Sequence, residues 1–122
     1  MTREYKVEKQ WITESGLMAV IIMTDMGHRC GYVGVNNESY LFEKDYYEIG
    51  HEINVHGGLT YSGSGNGKYP IQSDLWWFGF DTAHCGDSQE MGGQPLEYCV
   101  DQCELMAGQL NDMEKQNDTT KN

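Results

Sequence analysis

Leu17-Met18-Ala19-Val20-Ile21-Ile22-Met23-Thr24, then Asp25-Met26-Gly27-His28, then Arg29-Cys30-Gly31-Tyr32-Val33-Gly34-Val35, is the stretch on which the fold turns. The first segment is the longest apolar run in the chain and is rich in β-branched residues, which suits one buried strand. Asp25 to His28 carries turn chemistry, with Gly27 supplying backbone freedom. Arg29 to Val35 then reads as the return strand of a hairpin. Its glycines, Gly31 and Gly34, imply a bulge or a close approach of another group.

Outward from this hairpin, Tyr5 to Ile12 alternates apolar and polar residues and is closed by Glu14-Ser15-Gly16, so a further strand precedes it. Downstream, Asn36 to Glu52 is rich in Tyr and charge and reads as a loop with one short helical turn. Ile53-Asn54-Val55-His56 has the composition of a short strand, followed at once by Gly57-Gly58. Leu59-Thr60-Tyr61 extends it, and Ser62 to Lys68 reads as a mobile loop. Leu75-Trp76-Trp77-Phe78-Gly79-Phe80 is a central strand by its aromatic content. Pro95 suits the first position of a helix. From there Leu96, Cys99, Val100, Cys103, Met106, Leu110 and Met113 recur at helical spacing. The expected architecture is α+β: an antiparallel sheet packed against one long C-terminal helix, with a metal site at strand ends. One domain spans residues 1–122, and residues 116–122 are expected to form a disordered polar tail.

Composition narrows the function classes. Lys and Arg number 8 against 19 Asp and Glu, a formal net charge of -11. That balance argues against holding a phosphate backbone directly and favours a basic partner. No apolar run is long enough to cross a membrane. Met1 to Lys6 lacks the apolar core of a secretory signal, so a cytosolic protein is expected. In that compartment Cys30, Cys85, Cys99 and Cys103 are free thiols or metal ligands rather than disulfides.

Three segments each bring a soft or borderline ligand to a strand end. His28 and Cys30 flank Arg29, His56 precedes two glycines, and Asp81-Thr82-Ala83-His84-Cys85 follows the aromatic strand. Zinc accepts sulfur, imidazole and carboxylate in one tetrahedral shell. The first-choice metal shell is Cys30, His56, Asp81 and His84, with His28 and Cys85 in reserve. The plain alternative is that these are hydrogen-bonded core or loop residues. Cys99 and Cys103 read as small core hydrophobes. Glu97, Asp101, Glu104, Asp112 and Glu114 fall off the apolar stripe and face solvent or a partner.

Several catalytic patterns drop out. His51 and His56 stand five apart, one step too many for the zinc-protease helix face. Lys68 after the glycine-rich loop is not followed by Ser or Thr, so no phosphate loop is present. A cysteine–histidine nucleophile lacks any mark of an oxyanion hole. A metal-dependent hydrolase remains as a rival and needs an open coordination position, with Glu52 or Asp87 as base.

His28 to Val35, Val55-His56-Gly57-Gly58-Leu59-Thr60-Tyr61, Trp76 to Asp87 and the Tyr98–Cys103 spacing together resemble a group of small phage and prophage proteins, over about Arg29 to Leu110. In size, acidity and His/Cys pattern the chain is similar to zinc-containing phage anti-CRISPR proteins that inhibit type II RNA-guided nucleases. That resemblance implies a non-enzymatic inhibitor in the cytoplasm of the bacterial host, which binds the CRISPR effector nuclease and keeps target DNA from loading. It implies a structural zinc on the matched strings. The chain departs from the pattern at Asn36-Asn37-Glu38-Ser39-Tyr40, where such proteins carry a Pro/Gly/His-bearing loop, so no role carries over there. Position 85 varies among similar proteins, which ranks Cys85 below the first four ligands.

Overall fold

The computed structural model describes residues 5–65, 74–82 and 94–120. Five strands, β1 (Tyr5–Ile12), β2 (Met18–Thr24), β3 (Arg29–Val35), β4 (Tyr61–Ser64) and β5 (Trp76–Asp81), form one sheet in the order β1-β2-β3-β5-β4. Every neighbouring pair is antiparallel. A short helix α1 (Tyr46–Ile49) continues into a 3-10 turn at Gly50–Glu52, and α2 (Leu96–Thr120) closes the chain. No helix among the described residues is long and apolar enough to cross a membrane.

The unbroken apolar run of β2 follows from burial on both faces. Ala19 and Ile21 point toward α2, where Val33, Val35, Phe78 and Phe80 meet Cys99, Cys103, Met106, Ala107 and Leu110. Val20 and Ile22 point the other way and pack with Cys30, Tyr32 and Trp77. The side-chain period of two in a strand makes this split automatic. A sheet wet on one face shows alternation instead. Trp76 and Trp77 divide in the same manner. Trp77 lies in the second layer, while Trp76 packs on the first and donates its indole N–H to the Lys44 carbonyl at 2.7 Å.

Gly31 is the point where β3 and α2 come closest. A Cβ there meets Phe80 Cε1 at 2.6 Å and Cys103 Sγ at 2.8 Å. The close approach anticipated for this glycine is thus made by the helix and an aromatic ring, and the β3 register runs unbroken. The one register shift lies in β1, between Val7 and Lys9.

Two expectations need correction. Ser62 to Ser64 is not loop but strand β4, paired with β5 from Ser62↔Phe78 to Ser64↔Trp76. Ile53 to His56 forms no sheet strand. The helix opens at Leu96 with Pro95 just before it, and the Pro95 carbonyl accepts the Cys99 N–H at 3.1 Å. It runs to Thr120, past Lys115, where the apolar stripe ends.

Candidate metal centre

The start of β3, the end of β5, the segment 53–60 and the first turns of α2 come together at one end of the sheet. Arg29, at the start of β3, ties in β1, the residue ahead of α2 and the chain leaving β5. Its Nε lies 2.5 Å from Glu8 Oε1 on β1, and its Nη1 donates to the Gln94 carbonyl at 2.7 Å, just ahead of α2. Thr82, fully buried, donates from both its N–H (3.1 Å) and its hydroxyl (2.9 Å) to the Arg29 carbonyl. A buried hydroxyl left without a partner costs about 1–3 kcal/mol, so this pair of hydrogen bonds fixes the chain leaving β5.

Asp81 sits opposite Cys30 in the β3–β5 ladder and accepts the Thr60 hydroxyl at 3.1 Å. The Thr60 N–H donates to the Gly79 carbonyl at 2.9 Å. The segment holding His56 is therefore tethered to the same strand end that carries Asp81.

Segment 53–56 looks like a strand in composition and is extended at Ile53 (φ -111, ψ 118), but no strand pairs with it: Ile53 and Val55 bond to backbone within the adjoining turns, and Asn54 and His56 bond to side chains of α2. The Asn54 N–H donates to Gln109 Oε1 at 2.6 Å, and Gln109 Nε2 donates back to the Asn54 carbonyl at 2.9 Å. The His56 N–H donates to Gln102 Oε1 at 2.8 Å. Two glutamines thus do for Asn54 and His56 what a neighbouring strand does elsewhere, pairing backbone groups at the surface edge of the segment. Gly57 and Gly58, at φ 69 and 79, then reverse the chain in a conformation that side-chain-bearing residues rarely adopt.

The His56 ring stands edge-on to Tyr98 (centroids 5.4 Å apart, planes at 87°), with Nδ1 2.9 Å from the Tyr98 hydroxyl. Cys30 differs. Its Cβ points away from α2, into the layer of Val20, Ile22, Tyr32 and Trp77. Burial pushes its thiol up from 9.0 to about 12, and the Asp81 charge adds to this, while a hydrogen bond with Tyr32 opposes it. Cys30 is therefore a protonated thiol at neutral pH. An ion that took it as a ligand has to strip that proton against the burial that holds it.

His28 is not on the strand with Cys30. The ladder begins at Arg29↔Met23, and His28 closes the β2–β3 turn, its carbonyl accepting the Thr24 N–H at 2.9 Å and its Nδ1 lying 3.3 Å from Thr24 Oγ1. Cys99 and Cys103 are fully buried in the core between sheet and helix, and burial raises the Cys103 thiol further, with Cys99 adding to it. His84, Cys85 and Asp87 lie outside the described residues. Glu52 lies exposed on the 3-10 turn, 3.4 Å from His51 Nε2.

Thiol, imidazole and carboxylate are donors that zinc accepts. His56 and Asp81 are of the donor types zinc takes, and Cys30 is one only as a thiolate. Among the described residues no three His, Cys, Asp or Glu side chains converge on one point. A four-ligand shell is complete only with His84.

Sequence reasoning missed Gln102 and Gln109, whose amides border the apolar stripe of α2. It also gave Tyr98 no role beyond its place in the resembling pattern. A long polar residue beside an apolar helix face was the available signal, but its target lies about fifty residues upstream in sequence. No family model, no curated protein and no solved structure matches the chain.

Proposed function

We propose that this protein is a zinc-stapled inhibitor that docks on the basic nucleic-acid channel of a type II RNA-guided nuclease and blocks target DNA from loading. The observation that carries the reading is a net charge of -11 whose carboxylates are displayed on the surface: Glu97, Asp101 and Asp112 along α2, and Glu43, Glu48 and Glu52 around α1. Not every acid expected at the surface is available. Glu104 accepts the Trp11 indole N–H at 2.7 Å and the Glu14 N–H at 3.0 Å, and Glu114 accepts the Ser39 hydroxyl.

RNA-guided nucleases hold their heteroduplex in a positively charged channel. An acidic surface competes there, and charge complementarity of this kind acts most on association rate and partner choice. The zinc, held by His56, Asp81 and His84 with Cys30 as the fourth ligand, has a structural role. It ties the end of β5, at Asp81, to the His56 segment that α2 holds, so that the acidic face is presented as a rigid unit. Four protein ligands leave no open position for a reacting water.

The test is target-DNA binding by a guide-loaded type II effector with and without this protein. The expected result is loss of DNA loading that weakens as salt rises. Absence of a complex with the effector at low salt refutes the proposal. Charge reversal at Glu97, Asp101 and Asp112 together should slow association while leaving the fold intact.

A further inference from the structure

We propose that the adjacent exposed tyrosines Tyr46 and Tyr47, flanked by Asp45 and Glu48, are a docking surface for an arginine-bearing segment of a protein partner. It rests on the acidic-surface reading above and not on the metal, and it says where that surface holds its partner and by which side chain. Five large apolar side chains are exposed among the described residues. Ile12 on β1, Met26 in the β2–β3 turn and Leu105 on α2 stand singly, which is ordinary for a protein surface. Tyr46 and Tyr47 are neighbours, 37% and 70% exposed, with ring centroids 5.6 Å apart and planes at 80°. Together they form an aromatic corner on the surface. Tyrosine anchors partners well, since it brings a large rigid ring and has few rotors to freeze.

The corner is held in place before any partner arrives. Leu41 and Ile49, on either side of it in sequence, are buried in the core. The Lys44 carbonyl accepts the Trp76 indole N–H at 2.7 Å, and the Tyr46 N–H donates to Ser62 Oγ on β4 at 2.9 Å. The Tyr47 hydroxyl donates to Asp45 Oδ2 at 2.8 Å, and Glu48 Oε2 accepts the Asp45 N–H at 2.7 Å. A surface ordered beforehand loses less entropy on binding. Charge then selects the occupant. Residues 36–60 carry five Asp and Glu against one Lys. The Asp45 hydrogen bond and charge, with a smaller push from Glu48, raise the Tyr47 hydroxyl above its ordinary pKa, so both carboxylates act on this ring. An aromatic face draws a cation by about 2–5-fold in affinity at an exposed site. Arginine lies flat on a ring and bonds a carboxylate with the same planar group, whereas the lysine ammonium is a compact, strongly hydrated charge. A phosphate backbone or an anionic membrane is repelled here.

The probes are a short glycine-rich peptide bearing two arginines and the same peptide bearing two lysines, each titrated at low salt into the isotopically labelled full chain and followed by NMR. Amide shifts should centre on residues 45–49 and Ser62, and the arginine peptide should bind more tightly than the lysine one. Tyr47→Ala should weaken the arginine peptide by about 2–5-fold. Glu48→Gln, which keeps an acceptor for the Asp45 N–H, should weaken both peptides. Affinity unchanged in Tyr46→Ala and Tyr47→Ala, equal affinity for the two peptides, or shifts centred on Glu97, Asp101 and Asp112 of α2 overturn the inference and leave the acidic-surface reading standing. No binding of either peptide at millimolar concentration overturns it as well. So does a concentration-dependent dimer that covers both tyrosines, since the occupant is then a second copy. Melting temperatures check each variant; should Tyr46→Ala not fold, Tyr47→Ala, whose ring is the more exposed, carries the comparison. The nuclease reading is decided separately, by complex formation with a guide-loaded type II effector: its failure with peptide binding intact removes the nuclease and leaves the tyrosine surface.

Discussion

Gly31→Ala is the substitution that most directly probes the docking of α2, on which the whole arrangement around His56 depends. The new methyl carbon meets Phe80 at 2.6 and 2.7 Å and Cys103 Sγ at 2.8 Å. Phe80 is 1% exposed and Cys103 0%, and both sit between sheet and helix, so neither has room to withdraw. Overpacking of this kind costs about 1–3 kcal/mol. The smaller backbone entropy of Ala in the unfolded chain offsets about 0.4–1 kcal/mol. The expected net loss is about 1–2 kcal/mol, read as a lower denaturant midpoint at unchanged slope. Cys103→Ala vacates the space that the new methyl invades. The double variant should therefore be more stable than the sum of the singles by about 0.5–3 kcal/mol, the range found for residues in contact. A neutral or stabilising Gly31→Ala, or strict additivity in the double variant, refutes the β3–α2 packing. The placement of Tyr98, Gln102 and Gln109 against segment 53–56 then falls too.

Two further outcomes follow from the same contacts. Gln109→Ala removes both hydrogen bonds to Asn54 and should cost about 1–2 kcal/mol, with faster hydrogen exchange at the Asn54 amide as the local signature; unchanged exchange there refutes the glutamine clamp. In metal-free protein, the stability that Cys30 contributes should decline above about pH 9. Cys30, raised from 9.0 to about 12 in the fold, keeps its proton better folded than unfolded, so its contribution is complete below 9 and is lost as pH climbs toward 12. Cys103 acts in the same direction. Denaturant unfolding across this range checks it, and Cys30→Ala should flatten the decline.

How much of this was legible beforehand differs from residue to residue. The β2–β3 hairpin is written locally, in a β-branched run, a glycine turn and a second apolar run, and the strands begin and end where those signals change. The α2 stripe is equally local, though Ala107, too small to stand out in an apolar pattern, proves as buried as its neighbours. Ile53 to His56 misled because β-propensity records fitness for an extended, half-buried backbone and does not record what that backbone bonds to. Ser62 to Ser64 misled in the opposite sense: small polar residues read as loop, yet β5 supplies a ladder that accepts them at the sheet edge. His28 and Cys30 flank Arg29 in sequence, yet the boundary between turn and strand runs between them: His28 closes the turn and Cys30 lies within β3.

By itself the sequence determined the class: antiparallel strands, one long amphipathic helix and a surplus of carboxylates. Periodicity and charge are properties of neighbours along the chain, so they survive without a fold. Only the tertiary structure decided that β5 inserts between β3 and β4, that Cys30 faces the layer away from the helix, and that glutamines of α2 hold the segment bearing His56. Those outcomes depend on which distant faces exclude water together, and the free energy of that exclusion belongs to the pairing of surfaces and not to either segment alone.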